Sequence, residues 1–204
     1  MIEVSPDQAA PTLSVIVPTT GRDTLARTLE SVTLAGYRPG HDEMIVVRDG
    51  PDEDGAVVGA VRQWSDTICG VAYVHEQLTP AGDYGGAARS LALATATRDW
   101  ATFMDDDDVY TPGALAMIRA ALVDAPRVPH VFRMIDPGGN VLWRAPRLEG
   151  GNLGTPCIVV PVDSRLPRWG REYDADFRFL LACVDAWHGS IVWREEVVCQ
   201  CRPK

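Results

Sequence analysis

Apolar residues run through the first half of the chain in two alternating rhythms. LSVIVP (13–18), EMIVV (43–47), GVAYV (70–74) and WATFM (100–104) are short apolar runs rich in β-branched residues, which read as buried strands. Between them, RDTLARTLESVTLAG (22–36) places Leu25, Leu29, Val32 and Leu34 near helical spacing, with Gly36 as a stop. AVVGAVRQW (56–64) is a weaker helical stretch, and GGAARSLALATAT (85–97) is a helix opened by glycines. Thr111-Pro112 predicts an N-cap and a first-turn proline ahead of GALAMIRAAL (113–122).

Strands alternating with helices predict an α/β fold whose sheet is mainly parallel, with right-handed crossovers. In such sheets ligands bind beyond the carboxyl ends of the strands. From about Pro126 the rhythm changes. VFRMID-PGGN-VLWR (131–144) reads as a hairpin, and GGNLGTPCIVVP (150–161) as a glycine-rich loop entering a strand. REYDADFRFLLACVDAW (171–187) reads as a helix with Tyr173, Phe177, Leu180 and Val184 on one face, and SIVWREEVVCQC (190–201) as one or two closing strands.

A length of 204 residues suits one domain, with 46% hydrophobic and 23% charged residues able to bury a core. Residues 1–11 read as a flexible extension without signal-peptide character, and 12–204 as the domain. No run of apolar residues is long enough to span a membrane. The five cysteines are odd in number and form no C-x-x-C pair, which predicts a reducing, cytoplasmic setting. The net charge of −9 disfavours a nucleic-acid partner and suits a site that holds a divalent cation.

The most distinctive stretch is Asp105 to Asp108, four carboxylates directly after an apolar strand. Crowded like charges are costly, and a helix N-terminus repays only about 0.3–1 kcal/mol for a carboxylate. A hard cation with oxygen ligands offsets the repulsion better, which points to magnesium or manganese with a phosphate ligand. Aspartyl-phosphate chemistry at such a strand end also needs a lysine, and the chain has only Lys204. Neither G-x-G-x-x-G nor the P-loop pattern occurs.

LSVIVPTTGR, MIVVRDG, GGAARS and FMDDDDVYTPGAL, in this order and spacing, resemble a family 2 glycosyltransferase of the GT-A fold. The resemblance is good over residues 12–125, which would form the nucleotide-sugar half, and weaker over 126–204, the acceptor half. It implies metal-dependent, inverting transfer of a sugar from a nucleoside diphosphate sugar, UDP-linked above all, to the hydroxyl of an unknown acceptor. Pro18, Thr19, Thr20 and Arg22 would line the nucleotide, and Asp49 would bond the base or ribose. Gly85 and Gly86 would let the backbone approach the donor. Arg89 fits the family's helix arginine or, equally, an ion-pair partner of the acids. Asp105 and Asp107 fill the D-x-D pattern, with Asp106 between them on the nucleotide-sugar side. Asp107 is the first choice for the metal (Mn2+ or Mg2+), joined by Asp105 and Asp108, and Asp105 would also contact the ribose or a metal-bound water on the nucleotide-sugar side.

The family's catalytic base is an Asp at the start of a late helix, which offers Asp176, with Asp174 as the alternative. The family often has two acids before the glycine of its second strand end, where this chain has Arg48-Asp49-Gly50. That departure leaves the base of the donor open. His188 is a candidate third metal ligand, an acceptor contact or a surface-loop residue, and Trp143, Trp169 and Trp187 either stack on sugar or pack. Cys199 and Cys201 are assigned no chemistry. The loop Gln77–Gly86 is expected to order around donor. A sugar-phosphate nucleotidyltransferase and a non-catalytic nucleotide-sugar binding module are the rival readings, and the short acceptor half leaves room for a homo-oligomer.

Overall fold

The computed structural model describes residues 10–77 and 79–203. The expected N-terminal extension therefore lies mostly outside the described residues, as does Leu78 of the loop after the third strand. The first half follows the predicted alternation: β1 (Leu13–Thr19), α1 (Leu25–Leu34), β2 (Glu43–Asp49), α2 (Ala56–Ile68), β3 (Ala72–Gln77), α3 (Gly86–Thr95), β4 (Trp100–Phe103). A short strand that the pattern did not predict, β5 (Val109–Tyr110), precedes α4 (Ala114–Leu122). The second half adds β6 (His130–Ile135), β7 (Val141–Leu142), a 3-10 turn (Thr155–Cys157), β8 (Ile158–Pro161), α5 (Ala175–Ala186) and β9 (Val192–Gln200). The expected hairpin is β6–β7, paired antiparallel.

These strands form one sheet in the order β3-β2-β1-β4-β8-β6-β9-β5, with β7 beside β6. β1 pairs parallel with β2 and β4, β2 with β3, and β6 with β9, whereas β8 is antiparallel to both β4 and β6. Because β8 reverses direction twice over, β6 and β9 point the same way as β1 to β4. The carboxyl ends of β1, β2, β4, β6 and β9 therefore share one edge, and that edge carries the site. Every residue of β1 is buried, as expected for a strand covered on both faces.

A buried polar network closes the opposite edge. Asp42 accepts the Leu13 N–H at 3.0 Å and pairs with Arg119 at 3.3 Å, and Glu43 accepts the Ser14 hydroxyl at 2.6 Å. These carboxylates stabilise strand starts and face away from the site.

Three local expectations are corrected. α4 is capped by left-handed Gly113 rather than Thr111, because Thr111 turns its hydroxyl to the Val197 carbonyl at 2.9 Å and docks the turn on β9. Leu34 is 62% exposed, two residues past Val32 and off the buried stripe Leu25, Leu29, Val32. On α5 the buried face is Ala175, Phe179, Leu180, Cys183 and Val184, so Tyr173 precedes the helix and faces solvent.

Leu29→Ala is expected to cost about 2–5 kcal/mol through lost burial and a cavity. Leu34→Ala should stay within about 0.5 kcal/mol, as surface changes do. Urea unfolding of the two variants measures both, and equal losses would contradict the burial assignment.

Candidate active site

The strand ends first bring backbone, then charge. β4 stops at Phe103, whose register partner is Ile16, and the Met104 N–H still bonds the Ile16 carbonyl at 2.9 Å. The chain then turns, so Asp105 to Asp108 point in different directions, and each carboxylate meets a different partner.

Asp106 and Asp108 are 4% exposed and held inside. Asp106 accepts the Thr19 hydroxyl at 2.6 Å and the Thr20 N–H at 3.2 Å, and meets Arg22 at 3.2 Å. It fastens the end of β1. Burial pushes its carboxyl up, with Thr19 and Arg22 opposing. Asp108 accepts the Arg202 N–H at 2.9 Å and the Cys201 thiol at 3.2 Å, and burial pushes its carboxyl up to about 6. Their oxygens bond the protein's own groups, while Asp106 also lines the first of two cavities and Asp108 the second.

Asp105 and Asp107 remain partly open. Asp105 pairs with Arg89, whose guanidinium also takes the Tyr84 carbonyl at 2.7 Å and lies 4.9 Å over the Trp169 ring. Arg89 thus pairs with the tetrad and also lines the cleft. Asp107 faces two guanidinium groups, Arg22 at 2.6 Å and Arg202 at 3.2 Å. Oxygen donors already attracting two cationic groups suit a hard divalent cation, so the donor set fits magnesium or manganese.

Two cavities meet at these acids. One, about 360 Å³, runs from Pro18, Thr19, Thr20 and Arg22 past Asp49 and Gly85 to Asp105–Asp107. The other, about 410 Å³, runs from Asp105 and Asp107 to Asp174 and Asp176 at the start of α5. Tyr84, Arg89, Asp105, Asp107 and Arg202 belong to both. Asp49 lines the first cavity while accepting the Ala81 and Gly82 N–H groups at 2.6 and 3.2 Å, which holds the loop after β3 in place.

The two late carboxylates differ sharply. Burial pushes the Asp176 carboxyl up, with Asp105 adding and Arg89 opposing, while the Phe177 N–H bonds it at 2.7 Å. Asp174 is half-exposed, and a 2.9 Å hydrogen bond from Arg178 holds its carboxyl below the usual range.

Other candidates fall elsewhere. A Cβ on Gly86 would lie 1.9 Å from the Gly170 carbonyl oxygen, so Gly86 permits that backbone to approach and is not among the cleft-lining residues. Gly85, at φ +81°, does line the cleft and leaves room for Pro18 and Arg89. His188 is exposed beyond α5, near the β9 start, where Val192 pairs with His130 at the far edge of the sheet. Trp143, Trp169 and Trp187 are all buried; Trp169 stacks on Phe179 at 4.2 Å and also lines the second cavity.

Sequence reasoning missed Cys201, Arg202 and Tyr84. The first two reach the tetrad only because β9 runs parallel to β6, a pairing that no local pattern encodes. Asp108, Cys199 and Cys201 place their potential ligand atoms within 4.8 Å of one another, a cluster behind Asp107.

A mainly parallel sheet with an acidic, nucleotide-sized cleft across its carboxyl edge is the GT-A architecture. Residues 14–195 match the family model described as glycosyl transferase family 2, and the chain belongs to that family. None of the curated proteins matches it in sequence. In shape it resembles S. aureus TarS, at 17% identity and TM-score 0.73, over 94% of this chain and 37% of that one. TarS 1-349 in complex with UDP-GlcNAc matches at 17% identity and TM-score 0.71, over 95% and 59%. The mannosyltransferase PcManGT from Pyrobaculum calidifontis, in complex with GDP-Man and Mn2+, matches at 20% identity and TM-score 0.68, over 95% and 58%. This chain therefore spans well under two thirds of the length of those structures. No helix among the described residues is long and apolar enough to cross a membrane.

The Asp108 assignment has a pH consequence. Its carboxyl sits at about 6 in the fold, above the usual value near 3.9, so the folded state binds this proton more tightly. Its contribution to stability is full below about pH 4 and is lost as pH rises through about 6. Asp108→Asn should flatten that decline in urea unfolding measured in chelator, and an unchanged profile would contradict the assignment.

Proposed function

We propose that the protein transfers a sugar from a nucleoside diphosphate sugar, UDP-linked or related, to an acceptor hydroxyl with inversion, aided by manganese or magnesium. The observation that carries this reading is the shared cavity: the half-buried Asp176 carboxylate and the D-x-D acids Asp105 and Asp107 line one space. In it, Pro18, Thr19, Thr20, Arg22 and Asp49 hold the nucleotide along the first cavity. Asp107, with Asp105, holds the cation, and Arg89 positions Asp105. A cation bound there supplies positive charge to the leaving diphosphate. Asp108 and Asp106 brace the turn that presents the other two acids.

Asp176 serves as the general base. It takes the proton of the acceptor hydroxyl while that oxygen bonds to the anomeric carbon and the bond to the diphosphate breaks. Attack from the side opposite the leaving group inverts the carbon. A carboxyl raised by burial is a stronger proton acceptor than a solvated one, which favours Asp176 over Asp174. Five free cysteines support a reducing, cytoplasmic setting.

Asp176→Asn should keep the fold and the affinity for nucleoside diphosphate but lower turnover by about 10²–10⁴-fold, the usual worth of a general base. Asp174→Asn should lose only the exposed pairing with Arg178 and stay near wild-type turnover. Initial rates of diphosphate release decide between them, and the reverse ranking would move the role to Asp174.

A further inference from the structure

Two tyrosines stand in water at the mouth of the second cavity. Tyr84 is 68% exposed and Tyr173 is 87% exposed, and their rings meet edge to face with centroids 5.8 Å apart. Both line the cavity that also holds Asp176. Tyr84 adopts a left-handed φ of 54°, uncommon for a bulky residue, and its carbonyl is tied to Arg89 at 2.7 Å. The pair is thus anchored at one end beside the D-x-D acids and at the other on the approach to α5. Large rings left in solvent at a concave site are a usual sign of a ligand surface, and tyrosine gives rigid contact area with only two side-chain torsions to fix.

The charge of the same cavity is lopsided. Its lining includes six carboxylates but only two guanidinium groups, Arg89 and Arg202. Those two are already paired, with Asp105 and Asp107. A divalent cation at the D-x-D acids would be matched by the charge of the donor diphosphate, so the acceptor side stays negative: Arg178 pairs with Asp174 at 2.9 Å, while Glu172 and Asp176 add two further carboxylates. A phosphorylated or carboxylated acceptor would meet like charge there at short range, in a partly desolvated space where such repulsion is strong.

We infer that the tyrosine pair and the acidic wall together form an acceptor subsite for an uncharged or amino-bearing sugar, one whose flat C–H face lies on the rings. An ammonium group would gain further from the ring faces and the carboxylates. This inference rests on the reading of the cavity as the acceptor side, and goes beyond it by fixing the acceptor's class and charge.

The test uses three probes of one shape: methyl β-glucopyranoside, its 2-amino-2-deoxy analogue and methyl β-glucuronide. Saturation-transfer NMR on the full chain, with UDP and manganese present, reads their affinities. The neutral and amino sugars should bind at least tenfold more tightly than the glucuronide. Tyr173→Ala should weaken the neutral sugar five- to tenfold, Tyr173→Phe should restore it, and the thermal shift given by UDP and manganese should be unchanged in both. Equal or tighter binding of the glucuronide, no binding of the neutral sugar, or indifference to Tyr173→Ala overturns the inference. Loss of the UDP shift in the wild type would instead strike the donor reading, and the sugar affinities register separately from it.

Discussion

Four carboxylates at the end of one short strand are the constraint around which the rest of the site is arranged. Their mutual repulsion is relieved by giving each a different partner. Asp105 takes Arg89 from α3, Asp106 takes Thr19 and Thr20 from the end of β1, Asp107 takes Arg22 and Arg202, and Asp108 takes the thiol and backbone that follow β9. The tetrad therefore joins three elements far apart in sequence. It also divides itself into two buried braces and two open acids, and only the open pair faces both cavities. A chain that needs two carboxylates fixed at a solvent-filled junction gains from two more that hold the turn rigid.

The topology makes this possible. β8 lies antiparallel between β4 and β6, so the second half of the sheet is turned to deliver its strand ends to the same edge as the first. β9 then carries Cys201 and Arg202 to the acids, and the segment before α5 carries Asp174 and Asp176 to the same cleft. Without that reversal the closing strand would end on the far edge, beside the Asp42–Arg119 network.

Much of this was readable in the residues. β1 and β2 announced themselves as apolar β-branched runs because both faces of each are covered, and the acids were placed correctly at a strand end by the alternation around them. What the pattern missed depends on contacts between distant segments. Asp106 and Asp107 are indistinguishable as letters, yet one is inside and one is open, which only the direction of the turn decides. Thr111-Pro112 had the composition of a helix start, but Thr111 found a better partner on β9. The glycine pair Gly85-Gly86 looked alike in sequence, whereas one faces the cleft and the other faces the Gly170 carbonyl. Leu180 and Val184 of the expected α5 stripe are buried, whereas Tyr173 precedes the helix and Phe177 is only partly buried, because Phe179 takes the place on Trp169.

Asp107 lies at the junction of the two cavities, where the proposed function has it hold a cation together with a nucleoside diphosphate. Thermal unfolding with UDP or GDP, in manganese and in EDTA, tests it on wild type and Asp107→Asn. At a ligand concentration about 100 times Kd the wild type should gain about 2.7 kcal/mol with manganese. Little of that gain should survive in EDTA, and Asp107→Asn should lose the metal-dependent part. Equal stabilisation of the wild type with and without the metal would contradict the account.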